Sequence, residues 1–386
     1  MWLKNATILD GLFHFTPGDI RITGAYIDRV CSRGRYASEP AETLDCTGRY
    51  IIPGLIDIHT HGCNGSDASD GTPQALDNIS GFLARNGITS FLPTTTTLTD
   101  ELLLKALREI AAFMQRGVPG AYAHGANMEG PYLSHEKRGA HRDDWLQLPR
   151  MLHFMRMNNA CGNIIKIVSV APELDGALEF IKVAQEQAIV SLAHSAATYD
   201  TAMEAIARGA THVTHMFNAM SGLGHREPGL VGAIADSNVD AELICDCVHI
   251  HPAVLRATFK MLGYERVIMI SDSMSATGLP DGDYTLGGLS VFVRDGSARL
   301  EDGTLAGSTT TLMGDVRRAY AIGVPLEKAV KAATLNPAVS IGVDGVTGSI
   351  DEGKLADLVI LDEQLEVERV FIRGEPAYDK FAEASV

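Results

Sequence analysis

The chain has 386 residues, 46% hydrophobic and 21% charged, the profile of a globular protein with one large domain or a large domain and a smaller companion. Its formal net charge of −16 argues against a nucleic-acid partner, so an anionic ligand needs a local pocket of cations and backbone amides. No apolar run reaches the roughly 18 residues of a membrane span, and the opening MWLKNATILDG lacks a basic start and apolar core, so no membrane partner and a cytoplasmic location are expected.

In chain order, residues 1–50 read as short strands with turns, in ATILDG and DIRITGAYIDRV. The pattern then changes to apolar strands alternating with helical segments, the signature of a parallel sheet. Eight strands are predicted, at 50–58, 88–94, 121–129, 164–170, 188–194, 211–215, 241–248 and 266–272. Amphipathic segments separate most of them, such as DELLLKALREIAAFMQRG before the third and DGALEFIKVAQEQ before the fifth. Residues 277–309 form a glycine-rich insertion with short strands, expected near the site, and residues 346–386 return to short strands. The fold expected is α/β: a (β/α)8 TIM-like barrel over 51–345 and a small β-sandwich domain formed from both chain termini, 1–50 plus 346–386. An open doubly wound sheet is the alternative, but no G-x-G-x-x-G follows a first strand. Six scattered cysteines, Cys31, Cys46, Cys63, Cys161, Cys245 and Cys247, show no disulfide framework and suit a reducing compartment.

Functional groups of such a barrel gather at the C-terminal ends of its strands. The first strand ends in GLIDIHTHG (54–62), and alternation along a strand turns His59 and His61 to one side with Thr60 opposite. The third strand delivers Glu129, the fifth His194, the sixth His215 and the eighth Asp272. Each has an ordinary alternative, a strand-end histidine in a hydrogen bond or a carboxylate capping a turn. Six at one rim point instead to a shared metal centre. Nitrogen and carboxylate ligands without clustered thiolates favour Zn²⁺, with Fe²⁺, Mn²⁺ or Co²⁺ as alternatives, over Mg²⁺ or Ca²⁺. One arrangement puts one ion on His59 and His61, a second on His194 and His215, and Glu129 between them.

The segments MEGPYL (128–133), KRGAH (137–141), THMFNAMSGLGHREPGLVGA (214–233), SDSMSATG (271–278) and GTLAGS (303–308) resemble the signature segments of the N-acetylglucosamine-6-phosphate deacetylase family of the amidohydrolase superfamily. The resemblance implies hydrolysis of the N-acetyl group of N-acetylglucosamine 6-phosphate to glucosamine 6-phosphate and acetate, with the galactosamine epimer as the alternative substrate, one or two divalent ions per subunit and a homodimer. It implies Glu129, His194 and His215 as principal metal ligands, with His59 and His61 for a second ion. Asp272 would be the catalytic acid and base, with His141 a donor to the developing oxyanion. Substrate contacts are implied from Ala140, His141, Asn218, Ala219, Arg226, His249, Leu305, Ala306 and Gly307. Arg226 is the cation expected on the phosphate, because a guanidinium binds two oxygens at once. Preference between the glucosamine and galactosamine epimers is left open. A cyclic-amide hydrolase would place a bridging lysine at the end of the fourth strand, where Lys166 instead lies inside IIKIVSV. His251 is expected to be structural unless the seventh strand continues past His249, and Cys63 is read as a packing residue beside the H-x-H.

Overall fold

The computed structural model describes residues 1–35 and 41–383. Eight parallel strands run in the order Leu55–Thr60, Ile88–Thr95, Ala126–Met128, Ile165–Val170, Ile189–Leu192, His212–Val213, Asp240–Ile244 and Val267–Ile270. The ring closes where the backbone N–H of Asp272 donates to the carbonyl of His59 over 2.9 Å. This is the expected barrel, with a helix between each strand and the next.

Side-chain alternation builds two cores. Ile56, Ile58, Leu92, Ile167, Ile244, Ile268 and Ile270 fill the barrel interior. Leu55, Phe91, Val168, Val190, Leu243 and Met269 face outward and join the helices. Asp100–Arg116 shows how such a helix is specified. Leu103, Leu107, Ile110 and Phe113 recur every three or four residues and are buried, each burial contributing roughly 1.5–3 kcal/mol. The Thr99 side chain caps the first turn, and Gly117 at φ 63° ends the last.

Strands from both ends of the chain share one mixed eight-stranded sheet. Trp2–Leu9 pairs with Phe15–Thr23 on one side and with Tyr50–Pro53 on the other. Tyr50–Pro53 pairs in turn with Leu358–Leu361, followed by Val367–Ile372 and Glu375–Asp379. Both faces are covered. Ile8, Ile51, Leu358 and Ile360 make a separate core, whereas Leu9, Ile52, Val359 and Leu361 pack toward the barrel.

Three strand limits differ from expectation. The stretch 50–58 is two strands, one per sheet, divided at Gly54, whose N–H bonds the carbonyl of Asp357 at 2.8 Å. Ile51, Ile52, Leu55 and Ile56 flank that glycine on both sides, so the apolar pattern carries no break there. The third strand is interrupted at Gly125, and the seventh ends at Ile244. His249 and His251 are therefore not neighbours on one strand: His251 caps the helix Pro252–Leu262, its side chain accepting from the N–H of Ala253.

The insertion is a three-stranded antiparallel sheet, Gly282–Leu286, Leu289–Arg294 and Ser297–Arg299. Val291, Val293 and Ala298 pack on Ala140, Met274 and Ala306, which ties it to the rim. Among the described residues no helix is long and apolar enough to cross a membrane.

Candidate active site

The strand ends deliver their groups to one point. Glu129 is the centre: Oε1 lies 2.9 Å from His215 Nε2 and 3.2 Å from His194 Nε2, and Oε2 lies 3.2 Å from His61 Nε2 and 3.5 Å from His59 Nε2. Asp272 Oδ1 stands 3.2 Å from His61 Nε2 and 3.4 Å from His59 Nε2. All six groups are buried. His194, His215 and Asp272 have φ of 44°, 28° and 50°, left-handed values at residues other than glycine. Such strain costs on the order of 1–3 kcal/mol per residue and collects at functional sites.

The outer hydrogen bonds decide what the rings present inward. His61 Nδ1 meets the carbonyl of Thr94 at 3.2 Å, and His194 Nδ1 meets the carbonyl of Lys137 at 2.8 Å. His59 Nδ1 meets the Glu242 carboxylate at 2.9 Å. Each partner only accepts, so each Nδ1 carries a proton, and in its neutral form each ring turns an Nε2 lone pair toward carboxylate oxygens. Nε2 of His194 and of His215 also lie only 3.1 Å apart. Acceptors facing acceptors in a buried site repel unless positive charge sits among them. Buried His59 Nε2, with no hydrogen-bond partner among the described residues, makes the same point. The donor set fits a divalent ion or two, of the borderline-soft kind that imidazole and carboxylate share.

The protonation equilibria carry the same demand. Burial works against a charged His61, but hydrogen bonds to Asp272 and Glu129 outweigh it and lift the ring to about 10. Burial would raise Asp272, yet its bond to His61 and the charges of His59, His61 and His215 pull it down to about 2. Glu129 is held well below the usual carboxylate range, its burial outweighed by His59 and by bonds from His141, His194 and His215.

His141 differs from the other rings. Its Nδ1 accepts the backbone N–H of Thr97 at 3.2 Å and lies 2.9 and 3.1 Å from the hydroxyls of Thr97 and Thr96. The proton is therefore on Nε2, which points into the site 3.5 Å from Glu129 Oε2. This ring offers a donor, not a lone pair.

A cavity of about 500 Å³ opens over these groups, within the range of small-molecule sites. His61, Glu129, His194, His215 and Asp272 form its floor, and His59 lies behind them, fully buried. Of the residues named as substrate contacts, Ala140, His141, Asn218, Ala219, His249, Leu305 and Gly307 line it. Ala306 instead turns into the apolar cluster of the insertion. Arg226 is exposed and does not line this cavity. The cations that do are Lys137 and Arg138, which sequence reasoning passed over although both stand in the KRGAH segment. Glu242 and the Thr96–Thr97 pair were also missed. The four threonines at 94–97 have the β-propensity of an ordinary strand end, which hides this role, and a lone glutamate inside AELICDCV (241–248) is the only signal for Glu242. Lys166 is half-buried among Gln185, Gly209 and Ser340, remote from Glu129. Cys63 is buried in the main core.

The sequence pattern of the amidohydrolase family matches residues 50–377. N-acetylgalactosamine-6-phosphate deacetylase of Escherichia coli O157:H7 is 38% identical over 341 residues, 88% of this chain and 90% of that protein. N-acetylglucosamine-6-phosphate deacetylase of Vibrio furnissii is 36% identical over 332 residues, 85% of this chain and 83% of that protein. A variant of N-acetyl-D-glucosamine-6-phosphate deacetylase from Mycobacterium smegmatis, solved in complex with N-acetyl-D-glucosamine-6-phosphate, superposes with a TM-score of 0.92. Its identity is 33%, and the match covers 98% of this chain and 99% of that one. The chain belongs to the amidohydrolase family and, within it, to the N-acetylglucosamine-6-phosphate deacetylase family.

Proposed function

We infer that the chain hydrolyses the N-acetyl group of N-acetylglucosamine 6-phosphate to give glucosamine 6-phosphate and acetate. One observation carries the reading: His59, His61, Glu129, His194 and His215 converge beside Asp272 under a cavity of substrate size. The enzyme is metal-dependent, and we propose zinc as the ion, held by those four histidines and Glu129 at one or two positions. When bound, such an ion acidifies water and polarises the acetyl carbonyl.

The chain's own groups manage the protons. Asp272, ionised by its histidine neighbours, takes a proton from the attacking water as the oxygen bonds the acetyl carbon. It then gives that proton to the sugar nitrogen as the C–N bond breaks, which leaves a neutral amine and acetic acid, and the acid releases its remaining proton to water as acetate. His141 donates from Nε2 to the carbonyl oxygen as negative charge develops there, and Thr97 holds the tautomer that makes this possible. Elsewhere around the cavity, Asn218, the backbone amide of Ala219, His249, Lys137 and Arg138 are proposed for the phosphate and sugar. They supply locally the positive character that a chain of net charge −16 lacks overall. Arg226 remains a proposed phosphate contact. We propose a homodimer as well, in which Arg226, exposed and not lining the cavity of its own chain, would reach the cavity of a second copy. Six unpaired cysteines support a cytoplasmic location.

A second reading is the galactosamine epimer, favoured by the E. coli relative at 38% identity but less well supported than the first. The test is acetate release from N-acetylglucosamine 6-phosphate, N-acetylgalactosamine 6-phosphate and unphosphorylated N-acetylglucosamine. The highest kcat/KM is expected for the first. A higher value for the epimer overturns the choice of sugar, and an equal value for the unphosphorylated sugar overturns the phosphate contacts.

A further inference from the structure

Glu242 lies in the seventh barrel strand two residues before Ile244, on the strand face that looks into the barrel, and is fully buried. One oxygen, Oε2, accepts from both sides of the site: from His59 Nδ1 at 2.9 Å and from the backbone N–H of His215 at 3.1 Å. The other, Oε1, has no hydrogen-bond partner among the described residues, and His212 Nε2 stands 3.7 Å away. No lysine or arginine pairs with this carboxylate among the described residues. A buried, half-satisfied charge of this kind is costly, and a well-packed apolar residue would serve the barrel better if packing were its task. What the carboxylate does instead is touch one residue from each half of the site. It fixes the His59 ring so that its bare Nε2 faces Glu129 and Asp272.

We propose that Glu242 is a positioning residue for the metal centre, holding His59 in orientation and making its Nε2 a stronger ligand, so that the His59–His61 half of the centre keeps its ion. The inference rests on the metal-dependent reading above. Partners of this sort fix the tautomer of a ligating histidine and raise its basicity.

The experiment is zinc titration of metal-free, full-length protein by chelator competition, with the thermal midpoint of each metal-free form recorded in parallel. Wild type, His59→Gln, Glu242→Gln and Glu242→Ala are compared. The glutamine amide oxygen still accepts from His59 and from the His215 N–H, so Glu242→Gln removes the charge and little else. The binding component that His59→Gln abolishes should weaken about 10–100-fold in Glu242→Gln, with the other component unchanged and the metal-free midpoint not lowered. Glu242→Ala should weaken the same component at least as much. If the alanine variant does not fold, the Glu242→Gln titration decides alone. A Glu242→Gln titration that superimposes on wild type, with a lowered metal-free midpoint, overturns the proposal in favour of a purely structural strut. A wild type that takes up no zinc overturns the metal reading itself, an outcome visible without any Glu242 variant.

Discussion

The backbone N–H of Asp272 donates to the carbonyl of His59 over 2.9 Å, so the bond that closes the barrel also fixes the spacing between the proposed acid-base group and the first proposed ligand. Ser271 Oγ reinforces the closure by donating to Asp57 at 2.5 Å, one residue back from Asp272 and two from His59. Asp272→Asn keeps the backbone bond and removes the base. Turnover should fall about 10²–10⁴-fold, the usual contribution of a placed acid-base group, with zinc content unchanged by elemental analysis. Because Asp272 also lies 3.2 Å from His61, loss of zinc in parallel with activity would reassign it as a ligand.

His141 should act on kcat. Its Nε2–H is the donor aimed into the site, and removing a donor to a developing oxyanion typically lowers turnover about 10²–10³-fold. His141→Ala is expected to show that loss with zinc content unchanged. A rise in KM alone would mean that the ring only binds sugar.

Gly130 makes the same point from the backbone. A Cβ there would lie 2.2 Å from Thr97 Oγ1, and φ is +86°. Thr97 in turn holds His141 through its N–H and hydroxyl. Gly130→Ala should therefore lose activity through a displaced His141 and lose stability of about 1–2 kcal/mol from the left-handed backbone alone. Steady-state kinetics and thermal unfolding on one preparation check both, and wild-type values in either would contradict the contact.

Metal-free protein should respond to pH in a defined direction. His61 is raised from 6.5 to about 10, so its contribution to stability is complete below pH 6.5 and is lost as pH rises through about 10. Asp272 is depressed from 3.8 to about 2, so its contribution is present above pH 3.8 and is lost as pH falls through about 2. The metal-free thermal midpoint should decline from pH 7 toward pH 10. Zinc affinity should move the opposite way over the lower part of that range, since ligand nitrogens must give up their protons. A metal-free midpoint flat or rising between pH 7 and 10 would contradict the assigned ion pairs.

Much of the architecture was readable because period and punctuation agree. Eight apolar runs separated by amphipathic segments became eight strands and their helices, and the histidines and carboxylates at the run ends reached one rim. What escaped reading depended on tertiary partners. The break at Gly54 follows from its bond to Asp357 and from Thr89, whose Oγ1 would lie 2.1 Å from a Cβ there, and neither neighbour is local in sequence. The threonine run at 94–97 supplies the bonds that set the His141 tautomer, which β-propensity conceals. Glu242 looked like one charge in an apolar strand until His59 and His215 were placed against it. Arg226 stood in a specific motif, yet the fold leaves it exposed outside its own cavity.

The most direct test of the whole account is acetate release from N-acetylglucosamine 6-phosphate on one sample whose zinc content is known, before chelation, after it and after zinc is restored. The account predicts acetate and glucosamine 6-phosphate in equal amounts, loss of the reaction with the metal, and recovery on adding zinc. Undiminished acetate release from metal-free protein, or none from the zinc-loaded enzyme, would contradict it.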